Sequence, residues 1–302
     1  MLKEAKKHVT LNDESQSIIH IFNHNYIVDG KKFIEEPIDI YANYLSHEMT
    51  FVTMQKNDQK KINEAFIECD IEVERLISSI FALGISVLNS DQLKKGSILI
   101  NIGFEKTSIG LFNNLALINS ITLPIGENHL IKDISKVCSL SMKESEIIKN
   151  KIDFSFISND QLFDNNNYLK KFFFSESDYR KISKSLILDI IKNRLDEILE
   201  IIKKQIILTG LNSKPGKNVF LNEESSNLFN LKEYFSNYLG ENVINLDLID
   251  KNNKTSIPDK NFATCLGALK LIKDGWETEA IPKLSKGNDA KISFFSKLFG
   301  NS

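Results

Sequence analysis

The chain has 302 residues, 42% hydrophobic and 26% charged, an ordinary globular composition that excludes a wholly disordered or collagen-like chain. Its 38 basic and 40 acidic side chains leave a formal net charge of −2, and Arg75, Arg180 and Arg194 are its only arginines, so nucleic acid is not an expected partner. Three scattered cysteines, Cys69, Cys138 and Cys265, give no disulfide framework and no Cys-x-x-Cys spacing, and no metal site is expected.

In chain order, Leu2, Ala5 and Val9 recur at helical spacing and predict a helix that began before Met1. The first eight residues lack the apolar core of a signal peptide, which points to the cytosol. Ile18–Phe22 and Tyr26–Gly30 read as two short strands, the second closed by an Asp-Gly turn. Met49–Met54 reads as a strand, Asp58–Cys69 as an amphipathic helix and Ile71–Ile77 as an alternating strand, making residues 1–77 a small α+β unit. The uncharged stretch from Leu76 to Ser90 is too short for a membrane span of ~20 residues and predicts a buried helix at 78–88.

Ser97–Gly103 is a nearly continuous apolar run ending in glycine, as expected of a strand buried on both faces. Ser108–Phe112 and Leu115–Thr122, separated by Asn113-Asn114, complete a meander. Helices are predicted at 127–139 and 141–150, the second opened by a Ser141/Glu144 capping box. The Phe- and Asn-rich stretch 152–176 has no clear period, whereas Ile182–Lys204 carries the clearest helical spacing in the chain. Gln205–Gly210 reads as a strand ending on glycine, followed by a helix at 226–239, a strand at 243–246, a helix at 260–273 and a linker at 274–290.

In the tail, Ile292, Phe294, Phe295, Leu298 and Phe299 fall within one helical arc of about 160°, with Ser293, Ser296 and Lys297 opposite. Phenylalanines with flanking lysines suit an interfacial helix on an anionic membrane surface. The alternative is a terminal helix docking on the protein's own core or on a partner.

Two strand-to-turn sites stand out, Ile100-Asn101-Ile102-Gly103 and Ile207-Leu208-Thr209-Gly210. Glycine there lets backbone N–H groups approach a phosphate or ribose, although either turn alone reads as an ordinary turn. Around them, in order, lie His20–Asn23 with Tyr26–Gly30, Glu36-Pro37-Ile38, Gly96–Phe112, Leu123–Gly126 with Ile131–Ile134, Glu146–Lys149 and Ala263–Gly267. This collinear series resembles the FtsA family, bacterial cell-division relatives of actin and the chaperone ATPases, over the whole chain.

The resemblance implies an α/β fold: a two-lobed actin-like ATPase body with an inserted 1C (SHS2) subdomain at 1–77. Residues 78–95 would be a remnant of lobe 1A and residues 96–259 the second lobe, with 2B inserted at about 152–204. Residues 260–273 would form the closing helix, and 291–302 a membrane-targeting helix beyond the linker. Nothing before residue 96 resembles the family's first phosphate loop, so the first lobe is expected to be incomplete. Either the gene product is abbreviated or its start lies further upstream.

The family holds ATP with Mg²⁺, which by resemblance would place nucleotide contacts at Asn101, Gly103, Lys106, Thr107, Gly126, Glu146, Lys149 and Gly210. The second phosphate loop departs from its Asp-x-Gly-Gly-Gly-Thr pattern. Asn101 replaces the Asp that orients water on Mg²⁺, and Phe104-Glu105 put side chains, one of them anionic, where glycine backbone should meet phosphate. Lys106 would partly offset that charge. Glu146 and Lys149 either flank a ribose or form an ordinary i,i+3 surface pair. The expectation is therefore weak or lost ATP binding, no catalytic residues and no hydrolysis. The leading functional expectation is an adaptor that binds the FtsZ C-terminal peptide, self-associates and tethers the division ring to the inner membrane. The alternative is a nucleotide-switched actin-like scaffold.

Overall fold

The computed structural model describes residues 13–33, 37–152, 161–208, 218–223, 231–240, 242–246 and 262–280. The expected N-terminal helix, Gly210 and the tail with Ile292, Phe294, Phe295, Leu298 and Phe299 lie outside the described residues. Strands β1 (Gln16–Val28), β2 (Lys31–Phe33) and β3 (Leu45–Gln55) form a three-stranded sheet in the order β2-β1-β3. The two short runs expected at 18–30 are thus one strand and a turn. Asp29 (φ 48°) and Gly30 (φ 81°) reverse the chain so that Tyr26–Val28 pair antiparallel with Lys31–Phe33.

Helix α1 (Lys56–Ile67) follows β3 directly. The strand expected at Ile71–Ile77 is absent: this stretch is irregular, and among the described residues no strand pairs with it. Ile71 is 51% exposed, whereas Val73 and Ile77 are half-buried. The described chain divides into two units, one with β1 up to Ile21, residues 51–74 and Ala280, the other with residues 22–50 and 75–279.

The larger unit continues with α2 (Ser79–Val87), α3 (Ser90–Lys95), β4 (Ser97–Ile102), β5 (Thr107–Asn113) and β6 (Ala116–Leu123). Next come α4 (Glu127–Cys138), α5 (Met142–Lys151), α6 (Lys184–Leu208), β7 (Asn218–Glu223), α7 (Leu231–Leu239), β8 (Val243–Asn245) and α8 (Ala263–Asp274). The five strands form a mixed sheet, β6-β5-β4-β7-β8, with β4 antiparallel to β5 and parallel to β7. All six residues of β4 are buried, as its unbroken apolar run requires. Ile98, Ile100 and Ile102 join one core with Leu130, Ile134, Ile148, Ile191, Leu195 and Phe235 from α4 to α7. Helices α2 and α8 pack together beside the sheet, α2 touching β4 and β5.

The strand expected at Gln205–Gly210 is not formed. Ile198, Leu199, Ile202 and Ile206 keep the helical spacing of buried residues, so α6 runs on to Leu208. The parallel neighbour of β4 is instead Asn218–Glu223, a strand the sequence reading passed over.

Helix α2 is buried, as its uncharged sequence predicts, with Ile80 to Ile85 all inside. Helix α8 keeps apolar surface open, with Leu269 63% and Ile272 65% exposed. The segment after α8, expected to be linker, is docked as far as Glu279. The Trp276 indole N–H and the Thr278 hydroxyl both donate to the Leu115 carbonyl, and the Asn23 amide donates to the Thr278 carbonyl at 2.8 Å. Arg75 pairs with Glu279, whose side chain is buried. Phe81 meets Phe22 and Trp276 edge-on, at 4.7 and 6.3 Å between ring centres.

Candidate functional site

The turn between β4 and β5, Gly103–Lys106, carries the residues that by resemblance would form the second phosphate loop. Gly103 donates its N–H to the Lys106 carbonyl at 2.9 Å, closing the four-residue turn. Phe104, Glu105 and Lys106 are exposed, and Thr107, the first residue of β5, is buried with its hydroxyl donating to the Ile125 carbonyl at 2.8 Å. Helix α4 begins against this turn. The N–H groups of Glu127 and Asn128 donate to the carbonyls of Gly103 and Phe104, at 3.1 and 2.8 Å. Gly126 must be glycine, because a Cβ there would lie 2.6 Å from both the Lys106 nitrogen and the Phe104 oxygen.

Two side-chain pairs complete this face. Lys149 on α5 donates to the Glu127 carboxylate at 2.8 Å, both side chains being at least 96% buried. Asn222 at the end of β7 donates through its amide to the Asn101 side-chain oxygen at 2.6 Å, also buried. The parallel register that sets Asn101 opposite Asn222 brings these two amides together.

The structure thus gathers Asn101, Gly103, Thr107, Gly126 and Lys149 and leaves Glu146 and Lys106 aside. Glu146 is exposed, and the i,i+3 pair expected between it and Lys149 is not formed, since Lys149 turns inward to Glu127. Lys106 points to solvent without offsetting Glu105; the cation nearest Glu105 is Lys132, at 3.9 Å, and Asn128 donates to its carboxylate at 2.5 Å. Glu127, Asn128 and Asn222 were missed from sequence. Glu127 was legible as the residue straight after Gly126 at a helix start, and Asn222 as the polar end of the Val219-Phe220-Leu221 run.

Mg-ATP does not fit the described part of this face. The amides that would cradle an anion at the α4 start are spent on the protein's own carbonyls. The turn sits directly on Gly126, and the buried lysine is already neutralised. The described part of this face forms a closed structural joint.

A second feature lies between α5 and α6. Glu144, inside α5, is buried and accepts from the N–H groups of Ser141, Glu176 and Ser177 and from the Ser177 hydroxyl. Burial alone would raise its pKa, but these donors outweigh it and hold the carboxyl down at about 2. They clamp the irregular segment 174–178 onto α5. Beyond the clamp, an open groove of about 450 Å³ is lined by Asn166, Asn167, Tyr168, Ser183, Lys184 and Leu188. Phe172 is 86% exposed nearby in sequence, with Lys181 over the Tyr168 ring at 5.7 Å.

The clamp predicts a pH dependence. A carboxyl depressed from its ordinary 4.5 to about 2 adds stability that is fully present above pH 4.5 and lost as the pH falls toward 2. Glu144→Gln should therefore cost roughly 1–3 kcal/mol at neutral pH. In urea titrations across pH 7 to 3, the gap between parent and variant should narrow in the acid range; a constant gap would show that the charge does not matter.

Comparison with known proteins agrees with this architecture. The model of the family described as "Cell division protein FtsA" matches residues 98–267, and that of the "SHS2 domain inserted in FTSA" matches residues 1–53. Cell division protein FtsA of Agrobacterium fabrum is 25% identical over 76% of this chain and 52% of its own length. That of Bacillus subtilis is 26% identical over 70% of this chain and 48% of its own. The chain thus spans about half the length of these relatives. Among solved structures, the PilM–PilN type IV pilus biogenesis complex aligns with TM-score 0.60 at 14% identity, covering 89% of this chain and 72% of that one. MreB5 of Spiroplasma citri bound to AMPPNP aligns with TM-score 0.52 at 15% identity, covering 73% and 65%. The α/β fold is actin-like, with an SHS2 segment at its start.

Proposed function

The chain belongs to the FtsA family of cell-division proteins, and from that premise we propose that it is a division adaptor, binding the FtsZ C-terminal peptide and holding the ring at the inner face of the cell membrane. The observation that carries the reading is the pairing of an SHS2 segment with the FtsA body on one chain. The groove beside Tyr168 and Lys184 supports a peptide-binding role: it is open and lined by both polar and apolar side chains, with Lys181 over the Tyr168 ring. Membrane association would be peripheral, through residues 291–302, since no helix among the described residues is long and apolar enough to cross a membrane. Ile292, Phe294, Phe295, Leu298 and Phe299 would enter the headgroup region, each at up to ~1.5–3 kcal/mol when fully buried. One such helix binds weakly, so self-association would raise affinity through linked anchors.

The nucleotide-switch alternative is the weaker reading, because the α4 start and Lys149 are engaged within the protein. Liposome sedimentation tests the adaptor reading. Phe295→Glu or Phe299→Glu should release the chain, together with bound FtsZ, from anionic vesicles, whereas Ser296→Glu on the polar face should do much less. Equal sedimentation of all three variants would mean that the tail packs on protein.

A further inference from the structure

We infer that the β4–β5 turn and the start of α4 form an intramolecular latch, in which Glu105 takes the place of a bound phosphate, so that this face keeps one conformation with or without Mg-ATP. The inference goes beyond the adaptor role and stands whether or not the chain tethers anything.

Three kinds of observation converge on it. The first is the donor set. A helix N-terminus attracts an anion because its first N–H groups lack partners. Here the Gly126 amide donates to His129 Nδ1 at 3.1 Å, and those of Glu127 and Asn128 donate to turn carbonyls. The second is charge. The anion held at this helix start is the protein's own Glu105 carboxylate, received by Asn128 Nδ2 at 2.5 Å with the Lys132 ammonium at 3.9 Å. Asn128 is a buried side chain in the first turn of α4, so Glu105 reaches across the turn to a fixed partner. An incoming phosphate would meet the exposed Glu105 carboxylate. The third is space. The turn backbone lies so close to Gly126 that not even a methyl group fits between them.

The same parts explain how the joint stays shut without a ligand. In a nucleotide switch, the bound phosphates bridge the two strand-end turns and their loss lets the lobes move. In this chain the bridge between strand ends is Asn222 to Asn101, and the bridge from α5 to α4 is Lys149 to Glu127. Both are buried, where hydrogen bonds exchange least with water. Glu105 is the exposed member and therefore the one whose removal opens the latch without unfolding the core.

Hydrogen exchange on the full chain tests this, with Mg-ATP as the probe. Millimolar Mg-ATP should leave exchange at residues 101–107 and 126–130 unchanged. Glu105→Ala should speed exchange across the turn about fivefold, the expected effect of losing one hydrogen bond, equally with and without nucleotide. Asn128→Ala, which removes the clasp from the helix side, should give the same signature. Slower exchange in these segments when Mg-ATP is added to the parent would overturn the inference. So would unchanged exchange in both variants.

Discussion

Gly267→Val is expected to abolish cooperative folding or leave the chain insoluble, while Leu269→Ser, two residues on, behaves like the parent. On α8 the buried stripe is Ala263, Gly267 and Leu271, spaced four residues apart. At its centre α8 and α2 touch backbone to backbone: a Cβ on Gly267 would fall inside the Ala82 carbonyl group. No side-chain rotation relieves that clash, because the obstructing atoms are main chain in the middle of a helix. Helix α2 cannot retreat, since its residues Ile80 to Ile85 are all buried. Overpacking of this kind sits at or above the top of the usual range, ~3 kcal/mol or more. Leu269, being 63% exposed, has no such partner and its loss should change stability by less than ~0.5 kcal/mol. Soluble yield and thermal melts followed by circular dichroism decide the matter; a Gly267→Val protein that melts like the parent would refute the close helix contact.

Lys149→Met should lower stability by ~3–5 kcal/mol, the cost of leaving one buried charge without its partner. Glu127 would then keep a carboxylate 99% buried and facing a thioether. At ~2–4 °C per kcal/mol for a chain of this general size, the melting temperature should fall by ~10 °C. The double variant Glu127→Gln/Lys149→Met should recover most of the loss, because the orphaned charge is gone. Lys60→Met provides the contrast. Its ion pair with Glu64 is mostly exposed, and removing it should cost ~0.2–0.5 kcal/mol. Similar losses for Lys149→Met and Lys60→Met would mean that the inner pair is hydrated rather than buried.

The parts of this fold that were legible in sequence are those where local pattern and tertiary role coincide. The buried run of β4, the Asn-Asn turn before β6 and the Ser141/Glu144 box at the start of α5 each carry their cause in a few adjacent residues. The Ser141–Glu144 box shows the limit as well: the sequence gives a helix cap, but the same carboxylate also clamps Glu176 and Ser177, which lie over 30 residues away. The β7 assignment failed because Ile206-Ile207-Leu208 reads as a strand by composition, whereas burial of Ile202 and Ile206 on one face extends α6. Lys149, which the resemblance offers for nucleotide contact, pairs with Glu127 in the fold. Spacing pointed to Glu146 one turn away, and only the packing of α5 on α4 shows that desolvation selects Glu127. The docking of Trp276 and Glu279 was hidden by the glycine and charges around them, which look like linker until Leu115 and Arg75 are placed beside them.

FtsZ recruitment to anionic liposomes by the full chain, measured in paired samples with and without millimolar Mg-ATP, tests the central claim most directly. The claim is that this chain tethers FtsZ through its groove and tail and does so without a nucleotide switch. Equal recruitment in both samples, lost with Phe299→Glu, is the predicted result. Recruitment that appears only with Mg-ATP would contradict the claim by restoring the switch, and no recruitment in either sample would contradict the tethering role itself.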